Sequence, residues 1–83
     1  MLDPKMKKDI ENVIAQVTEN DNFQGDDNFI DDLGIDSMML LEIVVRVGKI
    51  INIKIPEQYI SELQTYNDVI RVVSELYATN KEL

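Results

Sequence analysis

Apolar residues recur at helical spacing in three separate stretches of this chain, and this pattern limits the fold more than any other feature. At about 100° per residue, the members of each set fall on one side of a helix. The sets are Met6, Ile10, Val13, Ile14 and Val17; Leu40, Ile43, Val44, Val47, Ile50 and Ile51; and Val69, Val72, Val73, Leu76 and Tyr77. Three amphipathic helices that share one core are therefore predicted.

The predicted fold class is all-α, a small four-helix bundle with three long helices and one short helix. The short helix follows Pro56 and would turn Tyr59, Ile60 and Leu63 inward. With 83 residues, the chain is expected to form a single domain over 1–83. The predicted helices cover about 4–18, 36–51, 57–63 and 65–79, and a long loop covers 19–35.

Three of these helices have recognisable starting signals. Asp3 can cap the first helix, and Pro4 suits its first position, where a missing N–H costs nothing. Asp36 can cap the second helix, which places Ser37 at the first helical position. The stretch 65–68 reads Thr-Tyr-Asn-Asp and resembles a capping box, with Asp in the place of the usual Glu.

The two longer connections have different characters. Residues 19–35 are rich in turn-forming Asn, Asp and Gly, but they also contain apolar side chains that should pin the loop onto the core. These are Phe23, Phe29, Ile30, Leu33 and Ile35. The loop acids lack the ligand spacing of a calcium loop, so no metal site is expected. Residues 51–56 alternate like a strand but have no partner strand, which predicts an extended connector.

The charge distribution excludes several classes of partner. The net charge is −8, and no basic residue lies between Lys8 and Arg46. Such a surface repels nucleic acid and anionic membranes, and it attracts a partner with a basic face. No apolar run is long enough to span a bilayer, and the N-terminal residues 1–5 do not begin the apolar region of a secretion signal. We therefore expect a cytoplasmic protein that acts as a monomer.

Ser37 stands out because an acidic loop meets an apolar helix at this residue. The chain contains no His and no Cys, so the usual base for activating a hydroxyl is missing. A modified serine is a better interpretation than a catalytic one, and no catalytic residue is predicted. The second helix also has a second, outward apolar stripe that could dock a partner or be scattered surface area. The candidate docking residues are Met38, Met39, Leu41, Glu42, Val45, Arg46 and Lys49.

The stretch 32–38, Asp-Leu-Gly-Ile-Asp-Ser-Met, resembles the serine box of acyl carrier proteins. The Ile-Pro at 55–56 and the Thr at position 65 are also similar to family features, at the places where its third and fourth helices begin. The resemblance implies a non-catalytic carrier with 4′-phosphopantetheine attached to Ser37, beside Asp36, whose carboxylate would contact the modifying enzyme or its magnesium. It further implies a phosphopantetheinyl transferase that uses coenzyme A and magnesium, and acyl or aminoacyl ligases, synthases and transferases as partners.

Several residues depart from the pattern that the resemblance implies. Met38 replaces the usual leucine, and Met39, Gly48 and Lys49 stand where acids are typical, while Arg46 adds a positive charge. These changes favour a free-standing carrier in a specialised fatty-acid, polyketide or nonribosomal pathway over the main carrier of fatty-acid synthesis. An aminoacyl carrier, for example one that carries D-alanine, and a helical interaction module without a prosthetic group remain alternatives.

Overall fold

The computed structural model describes residues 2–81, with side chains through residue 79. Its elements in chain order are α1 (Pro4–Thr18), α2 (Ser37–Ile51), a 3₁₀ helix (Glu57–Glu62) and α3 (Tyr66–Lys81). Within this described range there is no β-strand. The predicted all-α fold, with three long helices and one short helix, is therefore confirmed. None of the helices in this range is both long and apolar enough to cross a membrane.

The helices differ from the sequence expectations mainly in the second half of the chain. The short helix is a 3₁₀ helix that ends at Glu62, one residue before the predicted end. Helix α3 begins at Tyr66, one residue after the predicted start, because Thr65 acts as its cap. It continues to Lys81, beyond the predicted end near residue 79. No Gly or Pro stands there to stop it.

Side-chain caps begin all three α-helices. Asp3 Oδ1 accepts from the Lys5 N–H at 2.7 Å, and Asp36 Oδ1 accepts from the Met39 N–H at 2.9 Å. At α3 the capping box is reciprocal: Thr65 Oγ1 accepts from the Asp68 N–H, and Asp68 Oδ2 accepts from the Thr65 N–H, both at 3.1 Å. These bonds satisfy backbone donors that a helix start leaves unpaired, so local sequence alone sets where each helix begins.

The core lies where α1, α2 and α3 face one another, with α1 in contact with both other helices. All of its buried members are apolar, as the three helical stripes predict. They are Leu2, Ile10, Val13, Ile14, Val17, Phe29, Ile35, Leu40, Ile43, Val44, Val47, Ile51, Ile55, Leu63, Val69, Val72 and Val73. The outer members of the stripes, such as Met6 and Leu76, are half-buried around this core.

The long loop is held by buried side chains at two points and by backbone hydrogen bonds to the other half of the chain. Phe29 and Ile35 are buried, while Phe23 packs at a tilt against Tyr66 with 5.7 Å between ring centroids. The Phe29 N–H donates to Gln64 O at 2.8 Å. The loop therefore belongs to the folded body, although it contains only turns.

The expectation that Ile30 also anchors the loop is wrong. Its side chain is 50% exposed. Asn28 Oδ1 accepts from the backbone N–H groups of both Ile30 and Asp31, at 3.0 and 2.9 Å, and thus closes a tight turn at this point. The turn directs Phe29 into the core and leaves Ile30 on the outside, because successive side chains cannot both face inward there.

Candidate functional site

Ser37 is the first residue of α2 and is exposed to solvent. Within the part of the chain that the structure describes, its hydroxyl makes no hydrogen bond to protein. Asp36, immediately before it, is extended, with φ −101° and ψ 178°, and its carboxylate turns back to the Met39 N–H. The serine oxygen is therefore presented outward at the mouth of the helix.

The residues before Ser37 position it through one turn and one anchor. Gly34 has a φ of +71°, in a backbone region that residues other than glycine rarely adopt. A Cβ added at Gly34 would meet only open space, so glycine is favoured by the backbone conformation and not by crowding. Ile35 is buried, and its N–H donates to Phe29 O at 3.1 Å. The chain thus enters α2 from a fixed point on the core, so the direction of Ser37 is defined on both sides.

Charge at this end of the molecule is almost entirely negative, apart from the helix terminus itself. The carboxylates of Asp27 and Asp32 accept from backbone N–H groups within the loop, at 2.8 and 2.7 Å. These two loop acids therefore serve as acceptors that close turns. Within the described residues, no group of three or more acids is arranged to hold a metal ion.

The start of α2 offers a partial positive charge against this background. The first N–H groups of a helix point outward without intrahelical partners, and the helix dipole adds to their field. Here Asp36 satisfies one of them, that of Met39. The N–H groups of Ser37 and Met38 remain available at the mouth of the helix, where an anion attached to Ser37 would lie.

The outward stripe of α2 is present in the structure. Met38 is 79% exposed, Val45 56% and Leu41 45%, and these are large apolar side chains. Lys49 continues the stripe one turn beyond Val45 and is also exposed. We call Met38, Leu41, Val45 and Lys49 the outer face of α2. This face runs away from Ser37 along the helix, which brings an apolar surface next to the serine.

Met39 and Arg46, two of the expected docking residues, make contacts within the bundle. Met39 is half-buried and packs against the core. Arg46 donates to Gln16 Oε1 on α1 at 2.6 Å and pairs with Glu42 at 3.5 Å. Part of the binding capacity of this guanidinium is thus used within the molecule, and Glu42 shares in one of these contacts.

A groove of about 800 Å³ runs beside the outer face, between α2 and the connector that follows it. Its walls include Lys54 and Ile53, for which the sequence pattern predicted only an extended connector. The clue available in the sequence is Asn52, because Asn tolerates the left-handed conformation that ends a helix and turns the chain back. Asn52 adopts this conformation, with φ 56°.

Among the ionisable groups that the structure describes, Tyr66 on α3 has a clearly displaced pKa. Burial raises the pKa of Tyr66 to about 12, and the nearby carboxylate of Glu11 adds to the effect. The Tyr66 hydroxyl donates to Glu11 Oε2 at 3.2 Å, joining α3 to α1. This pair contributes to the packing of α3 against α1.

The fold and the site together define a small helical carrier: a bundle that presents the unbonded hydroxyl of Ser37 beside an exposed apolar face. A family model described as the phosphopantetheine attachment site matches residues 8–73, which is most of the chain and includes Ser37. The chain belongs to the acyl carrier protein family, whose members are generally non-catalytic carriers. Its implied prosthetic group is a covalently attached 4′-phosphopantetheine.

Curated relatives agree with the family. The meromycolate extension acyl carrier protein of Mycobacterium tuberculosis is 33% identical over 75 residues, covering 88% of this chain and 65% of the relative. An acyl carrier protein of Rhodococcus erythropolis is 31% identical over 72 residues, covering 84% and 79%. One from Wolinella succinogenes is 32% identical over 70 residues, covering 83% and 87%. The chain thus spans 65% of the length of its mycobacterial relatives.

The residues at the mouth of α2 fit this prosthetic group. Its phosphodiester needs a hydroxyl that is accessible and not bonded to protein, and Ser37 offers one. Free N–H groups at the helix start favour the phosphate, by about 0.3–1 kcal/mol at an exposed position. Asp36 opposes it as a neighbouring like charge, although the carboxylate is turned toward the Met39 N–H.

Proposed function

We propose that this chain is a free-standing carrier that holds acyl groups as thioesters on a 4′-phosphopantetheine arm attached to Ser37. The observation that carries the proposal is the position of Ser37: first in α2, exposed, and within the matched family segment. When attached, the arm supplies a terminal thiol, which the chain itself lacks because it contains no cysteine. The chain then holds the acyl cargo on the arm and presents it to partner enzymes. The chain itself performs no chemistry on the cargo.

The residues around Ser37 have separate tasks in this proposal. Gly34 and Ile35 set the path of the chain into α2, and Asp36 closes the first turn through the Met39 N–H. This arrangement keeps the hydroxyl oriented outward without a bond that a modifying enzyme would first have to break. Docking on the outer face of α2 would place a partner within reach of the same serine, since Met38 follows it directly.

The pathway is proposed to be specialised. Relatives named for meromycolate extension support this, as does the charge of α2, where Arg46 and Lys49 reduce the acidity of the helix. A partner built to recognise a fully acidic helix meets like charges here, and such contacts cost affinity. Phosphopantetheinyl transferase and acyl-handling ligases, synthases and transferases are the expected partners, in the cytoplasm.

The test is covalent loading followed by intact-mass measurement. The chain is co-expressed with a broad-specificity phosphopantetheinyl transferase, and we expect a gain equal to one phosphopantetheine. Ser37→Ala should abolish the gain. Ser61→Ala is the matched control, because Ser61 is also exposed but lies on the 3₁₀ helix, and it should load normally. The proposal fails if no mass is gained or if Ser37→Ala still gains it.

A second assay addresses the cargo. The loaded protein is offered to acyl ligases and to aminoacyl ligases in parallel, and thioester formation is followed by mass. Acyl loading supports the proposal as stated. Efficient loading by an aminoacyl ligase alone would replace it with the aminoacyl carrier alternative, while leaving Ser37 as the attachment residue.

A further inference from the structure

The groove beside α2 combines an apolar floor with two exposed lysines. It lies between the second half of α2 and the segment 52–57. Its apolar lining residues are Leu41, Val44, Val45, Ile53, Ile55 and Ile60. Lys49 stands at its α2 side and Lys54 at its connector side, and both are exposed. The groove therefore offers an apolar surface bordered by positive charge, in a chain whose net charge is −8.

The end of α2 explains why these two lysines border one groove. Asn52 turns the chain in the left-handed conformation, and the N–H groups of both Asn52 and Ile53 donate to Gly48 O. Gly48 has no Cβ, and one placed there would lie 3.0 Å from Ile53 O. The connector thus returns close against α2, so that Lys54 comes to the same groove as Lys49 although five positions separate them.

The two lysines differ from the two arginines of the chain in their lack of ion pairs. Arg46 is paired with Glu42, and Arg71 on α3 has Glu62, Asp68 and Glu75 around it. Within the described residues, neither Lys49 nor Lys54 has a carboxylate within ion-pair distance. Glu57 also borders the groove, so the local charge of the three is +1. By contrast, residues 19–36 contain seven acids and no base.

We propose that this groove is a docking site for a partner protein that presents an apolar ridge flanked by carboxylates. The inference rests on the proposed carrier function and specifies the partner that such a carrier would recognise. The ridge would lie against Leu41 and Val45, and the carboxylates would meet Lys49 and Lys54. A basic partner is disfavoured at this position, because it would bring like charges together beside an apolar contact.

The same arrangement predicts a polarity for the docked partner. The acidic loop lies at the start of α2, next to Ser37, and the unpaired lysines lie at its end. A partner aligned along α2 therefore needs positive charge near Ser37 and negative charge about one helix length away. A partner of uniform charge is attracted at one end and repelled at the other, so this pattern selects both partner and orientation.

Two synthetic helical peptides test the groove itself. Both have the same apolar ridge of Leu and Phe, flanked by Glu in one peptide and by Lys in the other. Binding to the ¹⁵N-labelled full chain is followed by backbone amide shifts and by fluorescence anisotropy. We expect the Glu peptide to bind at least ten-fold more tightly at the groove, with the largest shifts at Leu41, Val45, Lys49 and Ile53.

Charge-reversal variants provide the matched comparison. Lys49→Glu/Lys54→Glu should reverse the preference between the two peptides. Lys7→Glu/Lys8→Glu changes the net charge equally, on exposed residues of α1 outside the groove, and should leave the groove preference unchanged. Thermal melting of each variant ensures that the comparison is made on folded protein.

Several outcomes would overturn the proposal. These are equal or tighter groove binding of the Lys peptide, binding of neither peptide, shifts confined to residues 19–36, and equal effects of the two double variants. Concentration-dependent dimerisation through the groove, seen by sedimentation, would assign it to a second copy of the chain instead. Loading of Ser37 is measured separately by mass, so failure of the groove and failure of the carrier function are distinguishable.

Discussion

Replacing Asp36 would separate the two roles that the structure and the family resemblance give to this residue. Its Oδ1 caps α2 through the Met39 N–H at 2.9 Å, and its charge lies directly beside Ser37. Asp36→Asn keeps a cap acceptor of similar strength and removes the charge. Asp36→Ala removes both. If the transferase or its magnesium contacts this carboxylate, the two variants should differ in stability but share a defect in loading.

The expected magnitudes follow from the geometry. Loss of the cap in Asp36→Ala should lower the free energy of unfolding by about 1 kcal/mol. For a domain of this size, that corresponds to a fall in Tm of roughly 4–8 °C. Asp36→Asn loses a charge–dipole term of about 0.3–1 kcal/mol but also relieves repulsion within the acidic loop, so its Tm should change by less than about 4 °C.

Loading should respond in a different order. A hydrogen bond to a charged group is worth about 1.5–3 kcal/mol, which corresponds to a loss of roughly 10- to 100-fold in kcat/KM of the transferase. Both variants should show this loss. The assay follows mass gain over time at limiting transferase, below the melting temperature of each variant.

Asp3 supplies the control on α1. It caps the Lys5 N–H at 2.7 Å, far along the chain from the serine, so Asp3→Ala should lower Tm comparably and leave loading unchanged. Wild-type loading by Asp36→Asn would refute the reasoning, because Asp36 would then act only as a cap. Unchanged stability of Asp36→Ala would refute the assignment of the cap.

Two further predictions concern packing at other sites. The raised pKa of Tyr66, about 12, means that its phenol ionises first in the unfolded chain, near pH 10; stability should therefore fall between about pH 10 and 12. Tyr66→Phe should remove that fall and lower the free energy of unfolding by about 0.5–1.5 kcal/mol at neutral pH. Urea melts at a series of pH values measure this. The prediction is contradicted if the free energy of unfolding of Tyr66→Phe falls with pH as steeply as that of the wild type. Gly48→Ala should gain less than the roughly 1 kcal/mol of an unhindered helical glycine, because its methyl would press on Ile53 O at 3.0 Å. Urea melts measure this, and a full gain would show that the connector yields freely.

Local sequence was sufficient for the parts of this protein that depend on near neighbours. The starts of α1, α2 and α3 follow from Asp3, Asp36 and Thr65, because a cap and the N–H group it accepts from lie within a few residues. The buried stripes follow from helical spacing. Ser37 could be selected for the same reason, since its place at a helix mouth is a local property.

Other expectations failed or were incomplete because they depended on which elements meet. Ile30 is as apolar as its neighbours, yet Asn28 closes a turn that leaves it outside. Met39 packs against the core, and Arg46 contacts Gln16 on α1, which is thirty positions away in the chain. Hydropathy carries no information about such contacts, so the sequence could not separate the exposed side chains of α2 from those that contact the rest of the bundle.

The order of residues by itself determined that the chain is all-helical, where its helices start, and that one serine lies outside the core. Only the tertiary structure decided that Lys49 and Lys54 border a single apolar groove, that Arg46 is paired with Glu42, and that the connector lies against Gly48. The physical reason is the range of the forces: capping and periodicity act within one or two helical turns, whereas a groove exists only after distant segments have packed.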